Sequence, residues 1–374
     1  MAELILARSP YVIDNLNFEE GTTTTLTLSI RSANSVIKIY SFTFGSEKYI
    51  NISPFLKDYL DDYPILYVYI SVIGTAIGGG YLSEVKQFSV TDGYAYYEEG
   101  HNKKFSDYLL DNCLYAGSND VIYRYEDRPL SIPLINPIYA GLSKVDVVFY
   151  KGDDVLVKET INFTSYESVH YTTESDYSTF QSRVTIDGGV YEGNECVQEF
   201  VEEFTNYDAD RVLLGISYTK GVDTFTNNKE LKVVPISECK YTPKKIVFLN
   251  KLGVKEDLWF FKKTTESVNS EKDTYRSNTI SSYMSGDLSR HVSRDYNVNA
   301  KESLVLNTGF VPDSFSENFK QLMMSEKVWI YDDINLLPVN IKNSSLEIKS
   351  SVNDKLINYT IEIDYSFDKI NNIF

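Results

Sequence analysis

The sequence predicts a mainly β protein with two or three antiparallel β-sandwich-like domains, a few short helices and a long polar extended arm. Three observations lead to this prediction. The 374-residue chain contains 30 tyrosines and 20 phenylalanines, which favour pleated, half-buried surfaces. Short apolar or alternating runs recur between turn residues, as in antiparallel sheets. Finally, the densely apolar segment 244–263 is followed by the almost entirely polar stretch 264–303.

The N-terminal domain, residues 1–165, is predicted to be a β-sandwich that ends where the pattern lapses into polar residues. Thr23 to Ile30 alternates polar and apolar residues, so it should have one buried face. Ile65 to Val72 is apolar on both faces and should be a central strand. Ser53 followed by proline is a helix start signal for about two turns. The clearest hairpin joins 145–150 to 155–163. Further elements are predicted at 36–44, 49–52, 84–90 and 121–125 (strands) and at 104–113 (a short helix).

The middle segment, residues 166–243, is predicted to be a small β domain. Its apolar runs are short and are separated by turn residues, which is typical of a sandwich. The predicted strands are 183–186, 195–204, 211–219 and 230–235. Periodicity does not distinguish a strand from a helix at 197–204.

The C-terminal domain, residues 244–374, begins with two apolar runs around a glycine-containing connection, which predict a hairpin buried on both faces. The polar arm 264–303 follows, and it suits a subunit that reaches onto its neighbours. Ser314 and Glu317 have capping-box spacing, which predicts a helix over 314–325. Strict alternation from Leu356 to Phe367 predicts an antiparallel strand. We expect the hairpin to pair with a meander at 346–367, with Trp259 as a packing residue.

The charge balance, 36 basic against 53 acidic residues and a net charge of −17, argues against nucleic-acid binding, which requires clustered Lys and Arg. It suits a surface that keeps DNA from adhering. The first fifteen residues lack the pattern of a secretory signal, and the most apolar run, Ile65 to Ile77, is too short to span a bilayer. We therefore expect a soluble cytoplasmic product without membrane insertion.

Few residues suit catalysis or metal binding. Cys113, Cys196 and Cys239 are odd in number and widely separated, so neither a zinc site nor a disulfide framework is expected. The histidines lie outside any recognisable catalytic motif, at positions 101, 170 and 291. The glycines from Gly74 to Gly80 lack the Lys-Ser/Thr of a phosphate-binding loop. The sequence therefore predicts no catalytic residue, no cofactor-binding residue, no metal ligand and no cofactor.

Paired carboxylates are interpreted as solvated turns, although any two could in principle form a glycosidase pair. They lie at 61–62, 98–99, 153–154, 208 with 210, and 332–333. The sequence does not exclude a calcium site on the surface. Tyrosine-rich stretches such as 94–97 and 67–69 are interpreted as packing and subunit-contact surfaces rather than sugar-stacking platforms.

Several short motifs resemble virion tail proteins of crAss-like and related Bacteroidota-infecting bacteriophages. The resemblance covers the C-terminal third well and the middle thinly. The motifs are Phe248-Leu249-Asn250 with Gly253, Asp257 to Phe260, Lys327 to Ile330, Pro338 to Asn340, Asp354 to Glu362, and near the start Arg8 to Tyr11 and Ile52 to Phe55.

The resemblance implies a structural, non-catalytic subunit of a tail, ring, hub or baseplate in the virion, assembled in the host cytoplasm. Its expected partners are further copies of itself and other tail or portal proteins, and a ring could line a DNA channel. The resemblance carries over no functional residue. The alternatives are a receptor- or carbohydrate-binding protein at the tail tip and a glycan hydrolase that uses an Asp/Glu pair.

Overall fold

The computed structural model describes fifteen stretches of the chain, and all structural statements below concern them. They are residues 3–14, 23–32, 35–44, 49–60, 65–75, 81–104, 115–125, 131–136, 143–163, 180–185, 209–220, 223–277, 291–332, 335–343 and 356–370. The structure is mainly β and contains several antiparallel sheets, which confirms this part of the predicted fold class.

The chain divides into two compact units. The first comprises Met1–Ser237 and Phe248–Asp257, and the second comprises Glu238–Val247 and Leu258–Phe374. The predicted hairpin at 244–263 is thus shared, because its tip belongs to the first unit and its two open ends to the second. The predicted boundaries near residues 165 and 243, and the sandwich arrangement, stay predictions.

The first fourteen strands are β1 (Glu3–Leu6), β2 (Val12–Asp14), β3 (Thr23–Ser32), β4 (Ser35–Phe44), β5 (Tyr49–Asn51), β6 (Ile65–Thr75), β7 (Tyr81–Thr91), β8 (Val121–Arg124), β9 (Ser131–Asn136), β10 (Ser143–Lys151), β11 (Asp154–Phe163), β12 (Phe180–Thr185), β13 (Arg211–Lys220) and β14 (Asp223–Pro235). They form a first sheet of order β1-β7-β6-β3-β4, a second sheet of order β11-β10-β13-β14-β8, and the pairs β12-β9 and β2-β5. The helix α1 (Ser53–Lys57) follows β5.

One face of the first sheet carries the core. Leu26, Leu28 and Ile30 of β3 are at most 1 % exposed, which confirms the predicted alternation. The strand β6 is central, as predicted, but only one of its faces is deeply buried, since Ile73 is 42 % exposed. The helix α1 packs its Leu56 into the same core. It contains one turn rather than the predicted two, and its N-cap residue is Ile52 rather than Ser53.

The predicted hairpin of the N-terminal segment is confirmed. Strands β10 and β11 pair up to Lys151 and Asp154, and Gly152 turns the chain with a φ of +60°. The backbone N–H of Gly152 donates to the Asp210 carboxylate at 2.8 Å. Asp210, the residue directly before β13, therefore stabilises this turn.

The remaining elements are β15 (Lys244–Leu249), β16 (Lys255–Phe260), β17 (Thr265–Arg276), β18 (Ser293–Pro312), α2 (Ser316–Met324), β19 (Val328–Asp332), β20 (Asn335–Ile341) and β21 (Leu356–Tyr365). The seven strands form a third sheet of order β16-β15-β19-β20-β21-β18-β17. The predicted hairpin is confirmed as β15 and β16. Its expected pairing with the 346–367 segment is wrong, because β19 and β20 lie between β15 and β21.

The core of the second unit is built on β21. Its alternating residues Ile357, Tyr359, Ile361 and Ile363 are at most 6 % exposed, as predicted. Phe319 of α2 stacks on Tyr359, with ring centroids 4.1 Å apart. The predicted helix is confirmed, but the capping box is not its start. A 3-10 turn, Asp313–Phe315, precedes α2, and Phe315 is the N-cap residue of the α-helix.

Some predicted elements fall outside the described residues. These are the helix at 104–113 beyond its first residue, the strand or helix at 195–204, and the glycines 78–80. Among the described residues no helix combines the length and the apolar character needed to cross a bilayer.

Glu238 and Lys262 form an ion pair in the second unit, with Nζ and Oε2 2.6 Å apart. This hydrogen bond, assisted by the Lys240 backbone N–H, lowers the pKa of Glu238.

A carboxyl whose pKa is lowered by folding stabilises the protein above its unfolded-state pKa, and this stabilisation is lost as the pH falls through the folded-state value. The destabilisation caused by Glu238→Gln should therefore be largest near neutral pH and shrink in acid. Urea titrations from acid to neutral pH measure the free energy of unfolding of Glu238→Gln, and Glu266→Gln at an exposed position serves as the control. An equal loss of stability at every pH would contradict the stabilising role of the Glu238 carboxylate.

Candidate functional site

The polar arm is a β-ribbon. The sequence predicts no strand between residues 264 and 303, whereas the structure pairs β17 with the first part of β18 in antiparallel register from Thr265↔Val305 to Arg276↔Ser293. Residues 278–290, between the two strands, lie outside the described residues. We call residues 265–276 and 293–305 the ribbon. Hydropathy gave no sign of these strands, because neither face of the ribbon is apolar.

The ribbon extends beyond the sheet that carries it. Pairing of β18 with β21 begins only at Ser303↔Asp364, so the part of the ribbon before Ser303 has no third strand among the described residues. All twelve residues of β17 are exposed. An isolated two-stranded ribbon is marginally stable in water. The part of the ribbon before Ser303 pairs from Val268↔Glu302 to Arg276↔Ser293 and is about 30 Å long at ~3.3 Å per residue. It is therefore suited to being covered.

Contacts within the ribbon stiffen its outer half. The rings of Tyr275 and Tyr296 meet edge to face at 5.6 Å, and Lys272 pairs with Asp295 at 2.6 Å. Asn297 adopts a positive φ of 51°, where the register shifts by one residue and forms a bulge. Bulges increase local twist and terminate regular edges. The tyrosine pair thus lies on a twisted and locally ordered segment.

The C-terminal segment after β21 supports the base of the ribbon. The Asn299 side chain donates to Asp368 at 2.8 Å, and the Lys369 backbone N–H donates to the Ala300 carbonyl at 2.7 Å. The Lys369 ammonium also lies 2.6 Å from Glu302. These contacts hold the ribbon at its point of departure and leave the part beyond Asn299 to the solvent.

Exposed apolar side chains concentrate on the ribbon and the residue next to it. They are Val268, Tyr275, Val292, Tyr296 and Val298, each between 43 % and 62 % exposed. Tyrosine contributes strongly to protein interfaces, because its ring is apolar and its tip is polar. Paired tyrosines on an exposed ribbon are a candidate contact site for another protein.

The tyrosine stretch 94–97 divides into two kinds of residue. Tyr94 is 7 % exposed, and its ring meets that of Tyr96 edge to face at 5.9 Å. The Lys251 ammonium lies 4.3 Å from the centre of the Tyr96 ring and pairs with Glu99. Tyr97, in contrast, is 99 % exposed. The packing interpretation therefore fits Tyr94 and Tyr96, and Tyr97 has the exposure of a contact residue.

The structure shows where several residues considered for catalysis lie. His101 and His291 are exposed, and Cys239 is an exposed free cysteine. Within the described part of the chain, no group of three or more His, Cys, Asp or Glu side chains could hold a metal ion. The remaining histidine and cysteines lie outside the described residues, at positions 170, 113 and 196.

The described carboxylate pairs lie in turns. Glu99 belongs to a 3-10 turn, where it accepts the Tyr96 backbone N–H at 2.7 Å. Asp153 and Asp154 form the turn and the first strand residue of the β10–β11 hairpin. Asp332 ends β19. Asp61, Asp62, Asp208 and Asp333 lie outside the described residues.

A buried polar network in the first unit was not predicted. Glu256 is 6 % exposed and accepts the backbone N–H of Ser118 at 2.9 Å and its hydroxyl at 2.7 Å. The Asn250 amide donates to Glu256 at 3.0 Å and to the Ala116 carbonyl at 2.7 Å. The carboxylate is thus held by Ser118, which is distant in sequence, and by Asn250 of the same hairpin, and these hydrogen bonds stabilise the turn of the 244–263 hairpin.

A second charged residue is buried in the second unit. Lys245 is 3 % exposed, and its ammonium lies 4.3 Å from the centre of the Tyr331 ring and 5.7 Å from that of Trp259. These three residues lie on the neighbouring strands β15, β19 and β16. Cations are attracted by aromatic faces, most of all by tryptophan. Trp259 is itself 7 % exposed, so it is a packing residue, as predicted from the sequence.

Comparisons with known proteins identify no family: no protein-family model matches the chain, and no curated protein matches its sequence.

Proposed function

We propose that this chain is a non-enzymatic structural subunit of a bacteriophage tail or neck, of the ring, hub or baseplate type, which self-assembles through the ribbon. The observation that carries this proposal is the ribbon itself, a long pair of strands in which β17 is exposed throughout and β18 is exposed from Ser293 to Val298, with aromatic residues near the outer end. Such an element gains stability when another chain covers it.

The resemblance of the C-terminal motifs to virion tail proteins supports the virion location. Symmetric oligomers of one chain commonly form rings when a patch of one copy meets a different patch of the next. A ribbon anchored at its base and free at its outer half is suited to such a head-to-tail contact. Other tail or portal proteins are the further partners that we propose.

Shortening the ribbon tests the proposal. Replacing residues 272–298 by Asn-Gly, a sequence favoured in two-residue hairpin turns, keeps Asn299 and its contacts with the C-terminal segment. We expect light scattering to show a multimer for the native chain but not for the shortened protein, which should retain the circular dichroism of a β-sheet protein. A shortened protein that assembles as the native chain does would refute the ribbon contact.

A full-length variant provides the companion test. Tyr275→Ser combined with Tyr296→Ser removes both rings and keeps the length and charge of the ribbon. Interface hot spots rich in tyrosine cost at least about 2 kcal/mol each when truncated, so we expect the midpoint of assembly to rise at least 30-fold in protein concentration. The control is Tyr97→Ser, which removes a 99 % exposed tyrosine ring from the first unit, outside the ribbon.

A further inference from the structure

The outer half of the ribbon, residues 272–276 and 293–298, is positively charged in an acidic chain. It carries three basic side chains and two acidic ones: Lys272, Arg276 and Arg294 against Asp273 and Asp295. The chain as a whole has a net charge of −17, so its negative excess lies entirely outside this part of the ribbon. A positive end on an acidic subunit is complementary in charge to the surface of a further copy of the same chain.

Both acidic side chains of the outer half have partners within the ribbon. Asp295 pairs with Lys272 at 2.6 Å, and Asp273 accepts a hydrogen bond from the Asn297 side-chain amide at 3.2 Å. These contacts use up one of the three basic groups as well. What the outer half offers to another molecule is therefore its two arginines and its exposed tyrosine rings.

The two arginines flank one of these rings. Arg276 follows Tyr275 in β17, and Arg294 is the cross-strand partner of Tyr275. Both arginines are exposed, and neither forms an ion pair within the part of the chain that the structure describes. Arginine and tyrosine are enriched at interface hot spots, and a guanidinium binds a carboxylate through two parallel hydrogen bonds. The outer half is thus suited to a surface that presents carboxylates beside an apolar side chain.

The turn of the β10–β11 hairpin presents such a surface. Asp153 and Asp154 are both exposed. Neither forms an ion pair with another described residue, whereas Glu99 of the other described carboxylate pair is bound to Lys251. Val155 follows the two aspartates directly and is 56 % exposed. Two carboxylates and an apolar side chain are therefore consecutive in the chain and open to solvent.

The backbone of this turn is held in place by the start of the neighbouring strand β13. The Asp210 carboxylate accepts the Gly152 N–H at 2.8 Å, and the Arg211 guanidinium donates to the Gly152 carbonyl at 3.0 Å. A segment that is ordered before binding loses less conformational entropy when it binds. The two carboxylates are therefore presented by a preorganised turn.

We propose that the outer half of the ribbon binds the β10–β11 turn of the next copy, with its two arginines against the two aspartates of the turn. This inference rests on the proposed function, since it names the patch that the ribbon meets. The ribbon and the turn are different patches of one chain, as a head-to-tail contact requires. The tyrosine rings pack on Val155, and the ion pairs fix the orientation of the contact.

Charge reversal followed by rescue tests the inference. Arg276→Asp combined with Arg294→Asp should raise the midpoint of assembly about ten-fold or more in protein concentration. Asp153→Arg combined with Asp154→Arg should have the same effect. The protein with all four changes keeps the native net charge and has its ion pairs reversed, so its midpoint should return to within about three-fold of the native value. Light scattering over a range of concentrations measures all four proteins.

A matched control separates position from net charge. Lys38→Asp combined with Lys232→Asp changes the net charge as much as the arginine pair does, at exposed positions of β4 and β14. It should raise the midpoint much less, and an equal rise would overturn the inference. Circular dichroism checks that each variant is folded. If the reversed arginine pair does not fold, Arg276→Gln combined with Arg294→Gln removes the charges alone, and an unchanged midpoint for it would overturn the inference.

The remaining outcomes distinguish this inference from the proposed function. A protein with all four changes that assembles no better than either reversed pair shows that the turn is not the partner of the ribbon. If the double tyrosine variant dissociates the multimer while both reversed pairs keep the native midpoint, the ribbon contact stands and the contact with the turn is refuted. If the protein with the shortened ribbon assembles as the native chain does, the proposed function fails and this inference fails with it.

Discussion

Replacing Gly253 with alanine is expected to destabilise the protein by about 3 kcal/mol, one of the two largest effects that we predict. Gly253 has a φ of +76° in the turn of the β15–β16 hairpin. A Cβ atom there would lie 2.9 Å from the backbone C of Asp92 and N of Gly93. The left-handed conformation costs an alanine roughly 1–2 kcal/mol, and the clash adds to this because backbone atoms cannot rotate away.

A matched glycine separates these two costs. Gly152 also has a positive φ, +60°, but a Cβ there would meet nothing within 4 Å. Gly152→Ala should therefore cost only the conformational part, about 1 kcal/mol. Urea denaturation of both variants measures the difference in the free energy of unfolding. If both variants lose the same stability, the close approach at Gly253 does not constrain the fold.

The turn at Gly253 is held against the first unit by backbone atoms. The Tyr94 N–H donates to the Lys251 carbonyl at 2.8 Å, and the Thr91 hydroxyl donates to the Leu252 carbonyl at 3.3 Å. A side chain at Gly253 would push these atoms apart. This is why we expect the steric part to exceed the conformational part.

Replacing Glu256 with alanine is the second large effect. The carboxylate accepts three hydrogen bonds from Ser118 and Asn250 in a buried site. Its removal leaves these donors without their acceptor, and each buried unsatisfied group costs about 1–3 kcal/mol. We expect a total loss of about 3 kcal/mol or more in the free energy of unfolding.

Two further variants test the origin of this loss. Glu256→Gln keeps the size of the side chain and one carbonyl acceptor, so it should recover part of the stability. Glu230→Ala removes a carboxylate whose side chain is 61 % exposed and should cost less than about 0.5 kcal/mol. Urea denaturation at neutral pH measures all three proteins. A Glu256→Ala protein as stable as Glu230→Ala would show that the network does not hold the turn.

The sequence predicted strands correctly where apolar and polar residues alternate or where apolar residues form a continuous run. Strands were identified by the alternation of Ile357, Tyr359 and Ile361 and by the apolar runs of the 244–263 hairpin, because one or both faces of such strands are buried. The ribbon was missed because both of its faces are polar, so its strands carry no such pattern. Its existence depends on the register between two segments separated by the residues 277–292.

The buried network was missed for a different reason. Glu256 lies in a charged run, Lys255 to Asp257, that is typical of a solvated turn, and its burial depends on donors from Ser118, which is distant in sequence, and from Asn250. Sequence identifies each strand, but it does not show which residues become neighbours.

The continuity of β18 has a mechanical consequence. One strand of twenty residues, Ser293–Pro312, begins in the exposed ribbon and ends beside β21 inside the third sheet. No linker separates the two parts. A pulling force along the ribbon would therefore load the hydrogen bonds between β18 and β21 in shear and all at once, rather than unzipping them one by one. A force applied to the outer half of the ribbon would therefore reach the third sheet directly.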